Sequence, residues 1–298
     1  MIRQEPITER AAAKINLHLD MTGRMPDGYH SVQTVMQTVS LWDEVTVIPR
    51  EEKGFFATCN REGVPSDEKN IAVRAANLFC ERVGLSLGGE LHIEKSIPMA
   101  AGMAGGSADG AATLRALNRL CGNPLTVEEL CELGARLGAD VPFCIVGGTA
   151  YADGRGDVLH PFPPMPDCYL VAASEGEGVS TPWGYGLLDR RWGNFEEGCG
   201  YTPKGTEALE SALRSGSLSA VSRSMYNIFE EPVLAERPVA ARVKTLLEEA
   251  GAMAAMMSGS GPSVFAIFET EREAKLAADA LRSEGFTPYL CRPVALED

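Results

Sequence analysis

Residues 98–110, PMAAGMAGGSADG, decide the fold, because they join a strand pattern to a helix pattern through a run of glycines. Before this stretch, the apolar residues of 91–97 fall at even spacing with polar residues between them, as in a half-buried strand. After it, leucines recur at helical spacing over 114–120 until Gly122 ends the pattern. The order of strand, glycine loop and helix is typical of a connection that binds phosphate.

The glycines of this loop suit a polyphosphate. Gly102, Gly105 and Gly106 lack side chains, so the backbone can close around phosphates with its N–H groups pointing inward. Ser107 is predicted at the N-cap of the following helix, where its hydroxyl can cap the helix or contact a phosphate or metal. A Walker loop is excluded, because serine and not lysine follows the last glycine. A tight connection without a ligand stays an alternative, and Asp109, predicted in the first helical turn, favours it slightly.

The rest of the chain indicates an α/β protein of the two-domain α+β kind. Alternation predicts strands over 11–22 and 29–47, and periodicity predicts a helix from Asn70 that Gly84 stops. A second helix is predicted over 127–137. From residue 239 onward, helix and strand patterns alternate around the loop SGSGPS, as in a small layer of helices on one sheet face.

The length of 298 residues favours two domains over one core. The stretch 161–205 is rich in proline, glycine and aromatic residues, and a domain junction is expected near its start. The predicted domains are therefore an N-terminal one, 1–160, that carries the glycine loop, and a C-terminal one, 161–298.

Composition and charge narrow the class of protein. The net charge of −14, from 27 basic and 41 acidic residues, argues against a nucleic-acid partner, which needs a basic face. No apolar run is long enough to span a membrane, and MIRQEPITERAAAK has charges where a signal peptide needs its apolar core. The eight cysteines show no metal-ligand spacing, which is typical of reduced residues in a cytoplasmic protein.

Four ordered blocks carry a resemblance to a known family. PMAAGMAGGSADGAA resembles the second motif of the GHMP kinase superfamily of small-molecule kinases, and MSGSGPSVFAIF, residues 257–268, resembles its third. AAAKINLHLDMTGRMPDGYHSVQTVMQTVSLWDEV and GADVPFCIVGGTAYADGRGD resemble one member of that superfamily more narrowly. The resemblance runs nearly end to end and weakens between about 189 and 218. It implies the GHMP kinase fold, with an N-terminal ATP-binding domain and a C-terminal ferredoxin-like domain.

The resemblance also implies an activity. The member in question uses ATP to phosphorylate the C2 hydroxyl of the methylerythritol moiety in a cytidine-diphosphate conjugate, a step of the non-mevalonate isoprenoid pathway. The alternatives are another GHMP kinase of the homoserine or mevalonate type, and a catalytically silent ATP sensor on the same fold. A nucleic-acid module rests on fold analogy alone, and the acidic charge opposes it.

The resemblance assigns catalytic and nucleotide-binding roles residue by residue. Asp140, in GADVPFC, matches the catalytic base, and Lys14, in AAAKINL, matches the lysine that pairs with it and stabilises the transferring phosphoryl group. Mg²⁺ is expected with ATP, and Ser107 is the candidate ligand. The residues assigned to ATP are Pro98, Met99, Ala100, Ala101, Gly102, Met103, Ala104, Gly105, Gly106, Ser107 and Ala108 of the loop, with Lys95 and Asn70 at the adenine.

The substrate-binding residues implied are fewer. Asn16, two residues beyond Lys14 on the same strand face, is a candidate for the polar tail of the substrate. Tyr29 and His30, in DGYH, match the positions that hold the cytosine by stacking and by hydrogen bonding. Tyr185, in VSTPWGYGLL, is the candidate for a second stacking face, and Trp183 competes with it.

Overall fold

The structure is a computed structural model that describes residues 5–174, 176, 178–196 and 199–296. Its strands, in chain order, are β1 (Ile7–Arg24), β2 (His30–Arg50), β3 (Gly54–Cys59), β4 (Gly88–Glu94), β5 (Thr149–Asp153), β6 (Val158–Pro161), β7 (Tyr169–Ala173), β8 (Tyr226–Asn227), β9 (Ala254–Met257), β10 (Val264–Phe268) and β11 (Pro288–Cys291). Its α-helices are α1 (Ile71–Val83), α2 (Gly105–Leu120), α3 (Val127–Leu137), α4 (Asp140–Val146), α5 (Thr181–Trp192), α6 (Glu207–Arg214), α7 (Leu218–Ser224), α8 (Glu230–Glu236), α9 (Pro238–Glu249) and α10 (Glu271–Ser283). A short 3₁₀ helix follows α5 at Gly193–Phe195.

The described chain divides into two compact units, each built from separate stretches of sequence. The first unit takes in Leu41–Met99 and Ala104–Gly147 with the chain up to Ala13, and the second takes in Lys14–Ser40, Ala100–Met103 and the chain from Gly148 onward. The long strands β1 and β2 are hydrogen-bonded neighbours, and each supplies residues to both units. This grouping differs from a division at residue 160, which stays a prediction about the domains.

The first unit packs helices beside a small mixed sheet. The C-terminal half of β2 pairs with β4 in antiparallel register, Val47 opposite Leu91, and β4 pairs with β3 in parallel. Asn70 caps α1 through its side chain and Gly84 ends that helix in the left-handed conformation, as the pattern predicts. Helix α2 lies against α1 at Gly110, where a Cβ would stand only 2.7 Å from Ile71 Cγ2.

The second unit contains the turn between the two long strands and the strands beside them. The N-terminal half of β2 pairs with β5, and β5 pairs with β6, both in antiparallel register. Strand β8 pairs in parallel with β1, His18 opposite Tyr226. The turn GRMPDG closes between Met25 and Tyr29, where the Met25 N–H donates to the Tyr29 carbonyl at 2.7 Å.

The second unit also contains a ferredoxin-like layer. Strands β7, β9, β10 and β11 form an antiparallel sheet in the order β11-β7-β10-β9, with helices between β7 and β9 and between β10 and β11. Buried residues of α9 and α10, among them Val243, Leu247, Ala278 and Leu281, pack against this sheet. The ferredoxin-like prediction for the C-terminal part is therefore confirmed.

Some element boundaries differ from the prediction. Strand β4 ends at Glu94, so Ile97 lies beyond it, although its side chain is buried. Helix α2 begins at Gly105 and not after Ser107, because Ala104 takes the left-handed conformation at φ +59° and serves as its N-cap. Ser107 is consequently the third helical residue and Asp109 the fifth, so the prediction of Ser107 at the N-cap and of Asp109 in the first turn is wrong.

The loop SGSGPS supports residues 100–103 within the second unit. The Ser258 hydroxyl donates to the Gly102 carbonyl at 3.0 Å, and the Ser263 N–H donates to the Ala101 carbonyl at 3.2 Å. Asn227 holds the same loop from β8, because its amide donates to the Gly259 carbonyl at 2.9 Å. The third motif of the sequence thus fixes the backbone of the second.

Replacement of Gly102 by alanine should destabilise the protein. The residue has φ +74°, and a Cβ there would fall well inside van der Waals contact with the Ser258 carbonyl oxygen, a backbone atom. We expect Gly102→Ala to lower the free energy of unfolding by about 2–4 kcal/mol. Gly106→Ala is the control, because its Cβ would meet only Ile71 Cδ1 at 3.5 Å. Equal unfolding midpoints in urea for the two variants would contradict this account.

Candidate active site

The residues assigned from the sequence fall in both units, and each set has its own geometry. The first unit holds the α2 end of the glycine loop and Asp140, while the second holds the Lys14 strand, residues 100–103 and the aromatic residues assigned to cytosine. In the first unit lie Asn70, Lys95, Pro98, Met99, Ala104, Gly105, Gly106, Ser107, Ala108 and Asp140; in the second lie Lys14, Asn16, Tyr29, His30, Ala100, Ala101, Gly102, Met103 and Tyr185.

The N-terminus of α2 presents backbone donors. The first hydrogen bond of the helix runs from the Ala108 N–H to the Ala104 carbonyl at 2.8 Å, so the N–H groups of 105–107 precede it. Ala100 and Ala104 both have positive φ, at 52° and 59°, which costs an alanine roughly 1–2 kcal/mol each. The chain therefore keeps a strained conformation at two positions of this loop, where glycine would adopt it without cost.

Lys95 lies at the centre of a buried ion cluster in the first unit. Its ammonium group donates to Asp109 Oδ2 at 2.8 Å and to Asp43, and all three side chains are almost completely buried. Burial lowers the pKa of Lys95, but the two carboxylates outweigh burial and raise it overall. Gly105 packs against the cluster, because a Cβ there would lie 3.2 Å from Lys95 Nζ. Lys95 thus supports the loop from beneath.

Asp109 is the member of this cluster whose charged form is least well stabilised. Burial, together with the neighbouring Asp43 carboxylate, raises the pKa of Asp109 to about 7 against the lowering effect of the Lys95 charge. Its second oxygen, Oδ1, is buried without a hydrogen-bond partner in the described part of the chain. Two carboxylates therefore share one lysine below the glycine loop.

Asn70 has both ends of its side chain engaged. Its oxygen accepts a hydrogen bond from the Ala72 N–H at 2.9 Å, and its amide donates to the Pro65 carbonyl at 2.8 Å. The residue is buried and caps α1. A contact with adenine stays a prediction for both Asn70 and Lys95.

Asp140 is the first residue of α4, directly after the turn Gly138–Ala139. The Val141 N–H donates to the Gly138 carbonyl at 3.1 Å, which closes this turn. Ser107 lies beside the same turn, because a Cβ on Gly138 would stand 4.0 Å from its hydroxyl oxygen. Ser107, the candidate metal ligand, and Asp140, the residue assigned as the base, therefore belong to adjoining segments of the first unit.

Lys14 and Asn16 form a short hydrogen-bonded chain on β1. The Lys14 ammonium donates to Asn16 Oδ1 at 2.7 Å, and the Asn16 amide donates to Thr34 Oγ1 on β2 at 2.9 Å. The Lys14 N–H also donates to the Met103 carbonyl at 3.2 Å, which ties this strand to the glycine loop. Lys14 and Asn16 are both nearly buried. Their alignment on one strand face is as the spacing predicts.

The polar face of β1 continues beyond Asn16 with two residues that were not predicted from the sequence. His18 and Asp20 follow at the same spacing and are buried. Burial lowers the pKa of His18 to about 4 and raises that of Asp20. Asp20 accepts hydrogen bonds from the Tyr201 hydroxyl and from the Lys204 N–H, so it anchors the segment before α6. The signal was present, since every second residue from Lys14 to Asp20 is polar.

Two of the aromatic residues assigned to cytosine have different surroundings. Tyr29 is 58% exposed, and the Arg155 guanidinium lies 3.9 Å from its ring centroid. Trp183 is covered by Arg237, whose guanidinium lies 4.4 Å from the ring. An arginine guanidinium thus covers one face of each ring, and Tyr29 is the more exposed of the two side chains.

His30 and Tyr185 are brought together. Their rings stack with centroids 4.5 Å apart and an angle of 23° between the planes. The imidazole Nε2 lies 2.7 Å from Asp189 Oδ1, a partner that the sequence analysis did not find. Of the two candidates in α5, Tyr185 and Trp183, it is therefore Tyr185 that lies beside His30.

The described residues contain neither a metal-binding cluster of side chains nor a membrane-spanning helix. No group of three or more histidine, cysteine, aspartate or glutamate side chains there is placed to hold a metal ion. None of the helices in the same residues has the length and apolar character needed to cross a membrane. All eight cysteines lie in the described residues, and none of them forms a disulfide bond there.

Comparison with known proteins identifies the family. The model of the GHMP kinase N-terminal domain matches residues 70–148, and that of the GHMP kinase C-terminal domain matches residues 209–286. A 4-diphosphocytidyl-2-C-methyl-D-erythritol kinase of Exiguobacterium sibiricum is 41% identical over 96% of this chain and 97% of its own length. The chain belongs to the 4-diphosphocytidyl-2-C-methyl-D-erythritol kinase family. A kinase of the same name from a Synechococcus species is 43% identical over 91% of this chain and 88% of its own.

Solved structures agree with this family. A crystal structure of 4-(cytidine 5'-diphospho)-2C-methyl-D-erythritol kinase superposes with a TM-score of 0.80 at 31% identity, covering 97% of this chain and all of that one. A homoserine kinase from Cytophaga hutchinsonii superposes with a TM-score of 0.75 at 22% identity, over 99% of this chain and 96% of its own, and shows the common fold alone.

Membership confirms that the chain is a small-molecule kinase of the GHMP fold, and supports ATP as its phosphoryl donor. It favours the predicted kinase for the cytidine-diphosphate conjugate of methylerythritol over a homoserine- or mevalonate-type kinase, and over a silent ATP sensor. The roles of individual residues rest on their matching positions and on the geometry above.

The raised pKa of Asp109 predicts a pH dependence of stability. The pKa of Asp109 in the folded state, about 7, lies above the ordinary aspartate value of 3.8, so between these values the folded protein holds a proton that the unfolded chain has released. The contribution of Asp109 to stability therefore falls as the pH rises from about 4 to about 7. We expect the free energy of unfolding of the wild type, relative to Asp109→Asn, to decrease across this window in urea titrations. Parallel pH profiles for the two proteins would contradict the prediction.

Proposed function

We propose that the chain transfers the γ-phosphoryl group of ATP to the C2 hydroxyl of 4-diphosphocytidyl-2-C-methyl-D-erythritol, in the cytoplasm and as a step of the non-mevalonate isoprenoid pathway. The observation that carries this proposal is the 41% identity to a kinase named for that substrate, over 97% of the relative's length. The aromatic residues of the DGYH turn and of α5 support it, because a substrate without a nucleobase would give Tyr29 and His30 nothing to recognise.

The loop and the α2 N-terminus are proposed to hold the triphosphate. The N–H groups of 105–107 precede the first helical hydrogen bond, and the positive end of the α2 dipole lies there. In the second unit, the SGSGPS loop fixes the backbone of Ala101 and Gly102. Rigid donors of this kind bind phosphate without a cost of reorganisation.

Asp140 is proposed as the base. It would accept the proton of the C2 hydroxyl as that oxygen bonds to the γ-phosphorus, while the bond from the γ-phosphorus to the bridging oxygen breaks and ADP leaves. Its place at the first residue of α4, after a turn closed by backbone hydrogen bonds, gives the carboxylate a defined position.

Lys14 is proposed to stabilise the charge on the transferring phosphoryl group. Asn16 accepts a hydrogen bond from its ammonium at 2.7 Å and is itself held by Thr34, so the cation has a fixed place on β1. The Asn16 side chain is also the proposed contact for the polar tail of the substrate.

Mg²⁺ is proposed to accompany ATP and to neutralise phosphate charge when bound. The donor chemistry of the chain fits this hard cation, which prefers oxygen and keeps several phosphate and water ligands. Ser107 supplies a hydroxyl in the first turn of α2, beside the turn before Asp140. Ser107 is therefore the proposed protein ligand.

Removal of the Tyr29 ring should weaken binding of the cytidylylated substrate. Stacking on a base contributes about 1–3 kcal/mol, so Tyr29→Ala should raise the KM for this substrate roughly 5- to 150-fold and leave kcat within a few-fold. Phe56→Ala is the control, because Phe56 is likewise an exposed ring, 38% exposed, with an arginine 5.1 Å above it. An unchanged KM in Tyr29→Ala would overturn the assignment of Tyr29 to the cytosine of the substrate.

Removal of the Asp140 carboxylate should separate chemistry from binding. We expect Asp140→Ala to lower kcat by at least about 10²–10⁴-fold, because a general base is lost, while the Kd for ATP stays within a few-fold. Asp279→Ala, which removes a surface carboxylate of α10 paired with Arg282, is the control. Complete loss of ATP binding in Asp140→Ala, measured by calorimetry, would assign the residue a structural role instead.

A further inference from the structure

A carboxylate lies directly against the imidazole of His30, the side chain that is assigned to the cytosine. Asp189 Oδ1 is 2.7 Å from His30 Nε2, and the two side chains are 22% and 10% exposed. The residues are 159 positions apart, since His30 begins β2 and Asp189 lies in the last turns of α5. A contact of this length, between side chains so largely buried, is a defined hydrogen bond and not a loose surface pair.

Two aromatic rings fix the plane of the imidazole. Tyr185 stacks on one face at 4.5 Å, and Phe195 meets the ring at 88° with centroids 5.8 Å apart. Tyr185 is one helical turn before Asp189, so α5 supplies both the stacking ring and the carboxylate. His30 is therefore held by two ring contacts as well as by the hydrogen bond.

A cation balances the carboxylate on its other side. Arg24 Nη1, at the end of β1, lies 3.8 Å from Asp189 Oδ2. Asp189 thus bridges the end of one strand and the start of the next, with Arg24 on one oxygen and His30 on the other.

This arrangement decides which ring nitrogen carries the proton. A carboxylate can only accept a hydrogen bond, so Nε2 must be the protonated nitrogen. In the neutral imidazole Nδ1 is then an acceptor, and the bond to Asp189 leaves Nδ1 as the nitrogen that a ligand can use. Carboxylates fix the tautomer of histidines in this way in many sites.

We propose that Asp189 is a positioning residue that fixes His30 as a hydrogen-bond acceptor at Nδ1, and so favours a pyrimidine with an exocyclic amino group over one with a keto oxygen. The inference rests on the proposed function, in which His30 contacts the base. Cytosine carries an amino donor at position 4, where uracil carries an acceptor oxygen. An acceptor at Nδ1 can therefore take a hydrogen bond from the amino group of cytosine, whereas it repels the acceptor oxygen of uracil.

Asp189→Asn is the test, because an amide can also donate to Nε2. That bond would stabilise the other tautomer, with the proton on Nδ1, as replacement of a histidine-orienting aspartate does elsewhere. We expect Asp189→Asn to weaken the binding of CDP about 10-fold, the effect of one hydrogen bond, and to reduce the preference for CDP over UDP by at least that factor. Calorimetric titration of the protein with CDP and with UDP measures both.

Two further variants separate positioning from general support of α5. Asp189→Glu keeps the carboxylate, so it should retain the CDP preference. Arg191 of α5 forms an ion pair of 2.9 Å with Glu231. Glu231→Gln removes this ion pair without touching His30, so it should leave the preference for CDP over UDP unchanged. Should Asp189→Asn not fold, Asp189→Ser replaces it in the same titrations. The ¹⁵N shifts of the His30 ring give an independent measurement. The proton is expected on Nε2 in the wild type, in Asp189→Glu and in Glu231→Gln, and on Nδ1 in Asp189→Asn.

The outcomes distinguish this inference from the proposed function. A wild type that prefers CDP and loses the preference in Asp189→Asn supports the inference, whether or not it phosphorylates the full conjugate. A wild type that phosphorylates the conjugate, with the same CDP preference in Asp189→Asn, overturns the inference and leaves the function standing. Equal loss of preference in Glu231→Gln would also overturn it, since Asp189 would then only stabilise the helix.

Discussion

The approach of two backbones, at Gly102 and Ser258, is the constraint on which the second unit depends. Gly102 has a positive φ and no room for a Cβ, and the Ser258 hydroxyl closes the contact by donating to its carbonyl. Next to it, the Met103 carbonyl accepts from the Lys14 N–H. The position of the Lys14 strand is therefore set by a loop more than 240 residues away in sequence, through the glycine loop.

From that contact a continuous line of hydrogen bonds leads along the two long strands. Lys14 donates to Asn16, Asn16 donates to Thr34, and Thr34 donates to the His18 carbonyl. Thr34 and His30 lie at even spacing on β2, so they share a strand face. Lys14, proposed to contact the phosphoryl group, and His30, proposed to contact the cytosine, are thus connected through the strand pair β1–β2. Asp189 of α5 fixes His30 by a hydrogen bond.

Local features explain how much was predictable from the sequence. Helix α1 was predicted because Asn70 and Gly84 mark its ends, and the polar-apolar alternation of β1 placed Lys14 and Asn16 on one face. The start of α2 was misplaced because Ala104, an unusual residue for a left-handed N-cap, takes that role in place of Ser107. The Lys95 cluster and the Asp189 contact were not predicted, since they join residues 14 to 159 positions apart and no local pattern marks them.

The most direct test of the central claim is a coupled assay of ADP release with three acceptors: 4-diphosphocytidyl-2-C-methyl-D-erythritol, mevalonate and homoserine. The account predicts rapid turnover of the first and none above background for the other two, because only the first carries a base for Tyr29 and His30. Turnover of mevalonate or homoserine at a comparable kcat/KM, or none with the cytidylylated acceptor, would contradict it.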